Sequence, residues 1–188
     1  MLADPSVAAP VVDVRREGDV YVVHASGYVA ADVRVAWDTL TDYEHLSQFV
    51  PDIDASRVVA RHGNHLIVEH AGAFHLLFVS LPVRVRLAVE HEPYDRVLAR
   101  TEPGKVGGDD QTLASLAAQY RLTRVPAAPE GVRVDYDARF RLVQVLPDIV
   151  DSVFGRAIVA HGLRRHFEAM LDEIERRQAV VTSTLGNR

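Results

Sequence analysis

Residues 20–29, Val-Tyr-Val-Val-His-Ala-Ser-Gly-Tyr-Val, are dense in β-branched and aromatic side chains and predict a strand. After Ala30-Ala31-Asp32 the period changes: Val33, Ala36, Trp37 and Leu40 recur at spacings of three and four, which gives a short helix one buried face. Thr41-Asp42-Tyr43-Glu44 has the form of a capping box, so a second short helix is expected to about Phe49, with Pro51 ending it. Four extended segments follow, about 56–61, 65–72, 74–89 and 96–102. They are separated by the turn signals His62-Gly63-Asn64, Ala71-Gly72 and Glu92-Pro93, which makes a β-meander.

Residues 103–114 are rich in Gly and Asp and have no apolar face, so they read as the longest irregular stretch and its segment 104–112 as the most mobile. Two more strands, about 115–124 and 132–143, flank a turn at 126–131. In the last strand Val132, Val134, Tyr136, Ala138, Phe140 and Leu142 share one face, while Arg133, Asp135, Asp137, Arg139 and Arg141 share the other. Pro147 and Asp148 then start a helix expected to reach about Arg177, roughly 45 Å at 1.5 Å per residue. Its apolar stripe is Ile149, Val153, Ala157, Ala160, Leu163, Phe167, Met170 and Ile174. The pairs Arg164–Glu168, Asp172–Arg176 and Glu173–Arg177 support the wet face.

A chain of 188 residues suits one domain and is long enough to bury roughly 68–70% of its unfolded surface. The pattern divides it into a Pro- and Ala-rich leader at 1–18 with at most a weak strand, one domain at 19–178 and a frayed tail at 179–188. A net charge of −5 argues against a general nucleic-acid binder, which needs a surplus of Lys and Arg on one face. The lack of cysteine excludes disulfides, thiolate catalysis and Cys-based zinc sites. Apolar runs are strand-sized, and residues 1–10 lack the basic start and apolar stretch of a secretory signal. No stable membrane insertion is therefore expected. Cytoplasmic residence is expected for the chain as it stands, and periplasmic residence if an export signal precedes it.

The fold class is α+β: a curved antiparallel sheet around a long C-terminal helix, with two short helices after the first strand. This element order is similar to the helix-grip (START-like, SRPBCC) superfamily of START lipid-transfer domains, pollen-allergen-like proteins and polyketide cyclases. Ala36-Trp37-Asp38-Thr39-Leu40-Thr41-Asp42-Tyr43, then Phe49-Val50-Pro51-Asp52-Ile53 and Ser56-Arg57-Val58, resemble the bacterial polyketide cyclase/dehydrase branch. That branch is close to the coenzyme-Q-binding and ribosome-association-toxin proteins. The resemblance covers about residues 20–177 and implies a cavity between sheet and helix that takes an apolar molecule, without metal or organic cofactor. Where relatives often carry a Gly-aromatic turn before a Trp-bearing strand, this chain has the longer 104–112 loop and Leu116-Ala117-Ala118.

The candidate ligand-binding residues are Trp37, Phe49, Pro51, His70, Phe74, Phe78, Tyr120, Tyr136, Ala138, Phe140, Leu163 and Phe167. Trp37 either stacks on a ligand or, as is commoner for a Trp on a buried helix face, is plain core. Phe49 and Pro51 sit where family members have a pocket rim. Tyr136 either lines the pocket or ties the sheet to the helix, and the small Ala138 marks where the sheet leaves room for a guest. Of nine histidines, His62, His65, His70 and His75 fall on one hairpin, and a turn near Ala71-Gly72-Ala73 would set His70 opposite His75. Zinc needs three or four ligands and no third group is evident. No metal is therefore expected, with His62, His65 and His75 solvated and His70 pointing inward.

No Gly-x-Ser-x-Gly elbow, phosphate loop or His-Glu-x-x-His is present, and Asp109-Asp110 lies in the polar loop. A cyclase needs none of these, because a shaped cavity and one or two proton-handling groups suffice. The first reading is a non-catalytic carrier or sensor of a lipid-like, quinone-like or aromatic polyketide-like molecule. The alternative is a polyketide cyclase, aromatase or dehydratase using Tyr136, His70 or Arg100. A third is a ribosome- or protein-partner-binding module.

Overall fold

Period-two alternation carries the strands of this chain into one eight-stranded antiparallel sheet of order β1-β2-β8-β7-β6-β5-β4-β3. The computed structural model describes residues 9–76, 79–102, 113–126, 131–142 and 153–186. In chain order the elements are β1 (Val11–Glu17), β2 (Val20–Val29), α1 (Val33–Leu40), a 3₁₀ turn (Tyr43–Gln48), β3 (Ile53–His62), β4 (His65–Leu76), β5 (Val79–Glu92), β6 (Arg96–Thr101), β7 (Leu113–Val125), β8 (Gly131–Leu142) and α2 (Val153–Gly186). The curved sheet and the long terminal helix match the expected architecture.

Helix α2 lies against the inner face of the sheet and buries Phe167, Met170, Leu171 and Ile174. Its close approach to β2 depends on Gly27, where an added Cβ would stand 2.5 Å from Leu171 Cδ1 and 3.3 Å from Phe167 Cε1. Helix α1 starts as its sequence suggests: Asp32 is the N-cap and accepts the Arg34 amide at 2.7 Å, satisfying a free donor of the first turn. Its Val33, Ala36, Trp37 and Leu40 are buried with Val29, Val132 and Val134. Arg177 of α2 reaches Glu173 at 2.7 Å and Asp42 at 2.9 Å, which ties the helix to the start of the 3₁₀ turn.

Several expectations are corrected. Residues 11–17 of the presumed leader form β1, paired in register with β2 from Val11↔Ser26 to Glu17↔Val20. The alternation was obscured because this edge strand mixes Val12 and Val14 with Asp13, Arg15, Arg16 and Glu17, the charged composition that protects sheet edges. The capping box does not form. Thr41 Oγ1 donates to the Trp37 carbonyl at 2.9 Å, closing α1, and the 3₁₀ turn has no side-chain cap. At the other end, α2 continues beyond Arg177 through the supposed tail to Gly186. Of its expected stripe, Ala157 is exposed. Residues 147–152 and the mobile-loop segment 104–112 lie outside the described residues.

The expected hairpin turn at Ala71-Gly72 is also absent. Strand β4 runs straight through, with Gly72 paired to Val83 and Ala73 to Pro82. Gly72 serves a close approach instead. A Cβ there would collide with the Asp52 carbonyl, which accepts the Ala73 amide at 3.1 Å, while Asp52 itself has a φ of 63°. As a result His70 faces Val85 and His75 faces Ser80, so the two histidines are not opposite each other.

Candidate functional site

Across the inner face of the sheet, Ala99 of β6, Ala118 of β7 and Ala138 of β8 are consecutive cross-strand partners. Val97, Tyr120 and Tyr136 form the neighbouring row, and Leu116 pairs with Phe140. A row of methyl groups leaves space that the larger side chains of the adjoining rows enclose. Over it lies a cavity of about 210 Å³, walled on the helix side by Leu163, His166, Phe167 and Met170, and at one end by Leu40, Tyr43, Leu46 and Val50.

A second compartment of about 220 Å³ adjoins it towards Val83, Val85, Leu113, Phe140 and Leu142. The two compartments share Ile53, His70, Leu87, Leu116, Tyr136, Leu163 and His166 as walls. His70, Tyr136 and His166 therefore stand at the waist of the site. His70, on the inner face of β4, is flanked by Ser56 of β3 and Val85 of β5. Its Nδ1 and the Ser56 Oγ are buried and make no hydrogen bond. Burial pushes the His70 pKa down to about 4, so the ring is neutral at neutral pH.

Tyr120 and Tyr136 lie side by side, ring centroids 4.6 Å apart, and burial raises both phenols, Tyr136 to about 12. His166 Nε2 is 3.2 Å from Asp52 Oδ2. Its pKa is held below the ordinary value because burial outweighs the opposing pull of the Asp52 carboxylate. Asp52 is also 3.8 Å from Arg165 Nη1. Among the described residues, no Lys or Arg lines either compartment. Arg100, a candidate for proton handling, belongs to the opposite face, where it lines a shallow groove with His62, His65 and Glu90.

Of the sequence-predicted set, the cavity brings together His70, Tyr120, Tyr136, Phe140, Leu163 and Phe167. Ala138 stands in the alanine row but is only 4% exposed, wedged between Val23 and Ala118, and the open space lies over Ala118 and Ala99 instead. Trp37 is 8% exposed and packs edge-on to His91 at 5.3 Å and against Tyr94 at 5.8 Å, away from the cavity. Phe49 lies under the Arg177 guanidinium at 5.3 Å, and Pro51 is half-buried in the following turn. Their neighbours Val50, Asp52 and Ile53 face the cavity instead. The Phe74 side chain and Phe78 lie outside the described residues.

Sequence reasoning missed Tyr43, Asp52 and His166 as wall residues. For His166 a signal existed: it is three residues after Leu163 and four before Met170, both on the helix face turned to the sheet. Among the described residues, no group of three or more His, Asp and Glu is placed to hold a metal ion. No helix of the described residues is long and apolar enough to cross a membrane.

Comparison with known proteins adds a family. The family model described as polyketide cyclase / dehydrase and lipid transport matches residues 29–167. No curated protein matches in sequence. The fold is similar to that of the Zhui aromatase/cyclase from Streptomyces sp. R1128 (TM-score 0.65, 14% identity, 84% of this chain and 95% of that one). It is similar also to a START superfamily protein from Mycobacterium smegmatis (0.62, 13%, 85% and 98%). Human STARD10 aligns over 95% of this chain and 76% of its own, with a TM-score of 0.65 and 15% identity.

Proposed function

The chain belongs to the polyketide cyclase / dehydrase and lipid transport family, and from that premise we propose that it binds and carries a hydrophobic small molecule in the cavity between sheet and α2. The observation that supports this most is the alanine floor at Ala99 and Ala118 under a lid of Leu163, Phe167 and Met170. Apolar walls around an enclosed space are what a lipid-like or aromatic guest needs. Names borne by structures of the same fold, an aromatase/cyclase among them, bring a second reading, in which His70 and Tyr136 handle protons for a cyclisation or dehydration. Both groups face the cavity, which favours it. Their pKa values, about 4 and about 12, are far from neutral and poorly matched to proton transfer, which favours the carrier.

Native mass spectrometry of the purified protein tests the carrier reading, with an apolar mass expected to travel with the folded chain. A naphthalene-dye titration provides the control, with wild type binding and Ala118→Trp not binding. A wild type that retains no mass and binds no dye ends the proposal. Turnover of a polyketide by wild type that is lost in both His70→Leu and Tyr136→Phe would establish the enzyme instead.

A further inference from the structure

The walls of the cavity are mostly apolar, and its waist carries His70, Tyr136 and His166. His70 Nδ1 and Ser56 Oγ are cross-strand neighbours, buried and without a hydrogen bond. His70 walls both compartments, and a buried imidazole left unpaired costs free energy that a bound molecule recovers by pairing with whichever ring nitrogen it reaches. The Tyr136 ring shares this waist, walling both compartments. Among the described lining residues the only group with a formal charge at neutral pH is Asp52, whose carboxylate is held by His166 and Arg165.

We propose that the guest is an uncharged apolar molecule, aromatic or aliphatic, whose single hydroxyl or carbonyl group sits at the waist and hydrogen-bonds His70, and that the site rejects carboxylate-bearing molecules of the same size. This rests on the cavity-binding reading above and narrows it. A carboxylate brought to the waist would lose its hydration and meet no lining cation, with the Asp52 carboxylate in the same wall. The neutral imidazole offers one ring nitrogen to pair and no charge to neutralise an anion. A wholly apolar guest would fill the space but leave His70 unpaired.

Three probes of one shape separate these cases at pH 7: naphthalene, 2-naphthol and 2-naphthoate, titrated by fluorescence or calorimetry. The expected order is 2-naphthol tightest, naphthalene roughly three- to tenfold weaker for want of one hydrogen bond, and 2-naphthoate weaker than 2-naphthol by about tenfold or more. In His70→Leu the preference for 2-naphthol over naphthalene should vanish, and in His70→Gln it should persist. In wild type, the ring-nitrogen resonances of His70 should move with 2-naphthol and not with naphthalene. 2-Naphthoate binding as tightly as 2-naphthol, or a preference unchanged in His70→Leu, overturns the proposal. Should His70→Leu not fold, the wild-type probe order and the nitrogen resonances decide alone. If none of the three binds, the cavity-binding reading itself has failed, and this proposal falls with it.

Discussion

The two halves of the space between sheet and α2 use the same device to opposite ends. At β2, small residues let the helix descend: Gly27 admits Leu171 and Phe167, and Ile174 is 0% exposed among Val29, Ala36 and Val132. At β6 and β7, Ala99 and Ala118 are equally small, but the helix above them presents Leu163 and His166 without reaching the floor. A small side chain therefore closes a core or opens one according to whether the facing element can follow it down. Both halves share Val, Leu, Ile and Ala, and the open half adds His70, His166, Tyr120 and Tyr136.

The largest effect should come from the filled half. Ile174→Ala removes a fully buried side chain where nothing can collapse into the gap, and about 2–5 kcal/mol of stability should be lost on urea unfolding. A loss below about 1 kcal/mol would mean that the filled half is not close-packed.

Acid probes the waist. The His70 pKa is depressed from 6.5 to about 4, so between these values the unfolded chain takes up the proton first. The stabilisation from keeping this ring neutral is fully present above about pH 6.5 and is lost as pH falls to about 4, by up to about 3 kcal/mol. His91 and His166, also depressed by burial, act in the same direction. Glu173, whose carboxylate is held at about 2 by its hydrogen bond from Arg176, weakens the fold only in stronger acid. Urea melts at pH 7, 5.5 and 4.5 should show His70→Gln losing less stability than wild type in this window. Parallel curves would remove His70 from the account.

The open half should yield less. Leu116→Ala, at a half-buried wall position already beside a void, is expected to cost about 1–2 kcal/mol while weakening dye binding. Smallest in stability is Ala118→Trp, which should change the melt by less than about 1 kcal/mol yet abolish dye binding, because the indole occupies the guest's place. Destabilisation of about 1–3 kcal/mol or more with binding retained would show that the floor is packed after all.

The element order was legible in the sequence because each element carries its own period, from the alternation of β8 to the three-and-four spacing of α1 and α2. Where reading failed, a residue was already engaged elsewhere. Thr41 has the position of a capping-box residue, but its hydroxyl is bound to the Trp37 carbonyl. Gly72 has the form of a turn signal, but it makes room for the Asp52 carbonyl from the turn before β3. The cavity could be placed only approximately. Ala138 pointed to the correct row, while the empty part of that row depends on the register that sets Ala99, Ala118 and Ala138 side by side, and local patterns do not encode register. Ser56 beside His70 was hidden for the same reason.

Three successive residues of α2 reach both edges of the sheet. Arg164 donates to the Pro10 carbonyl beside β1 at 3.3 Å, while Arg165 and His166 meet Asp52 at the start of β3, at 3.8 and 3.2 Å. Since β1 and β3 are the first and last strands of the sheet, one helical turn bridges its two edges. In mechanical terms the sheet is a tied arch and this turn is the tie. Any force that spreads the arch loads these three contacts in tension, so polar contacts at the rim, as well as the apolar walls, hold the two edges at their spacing.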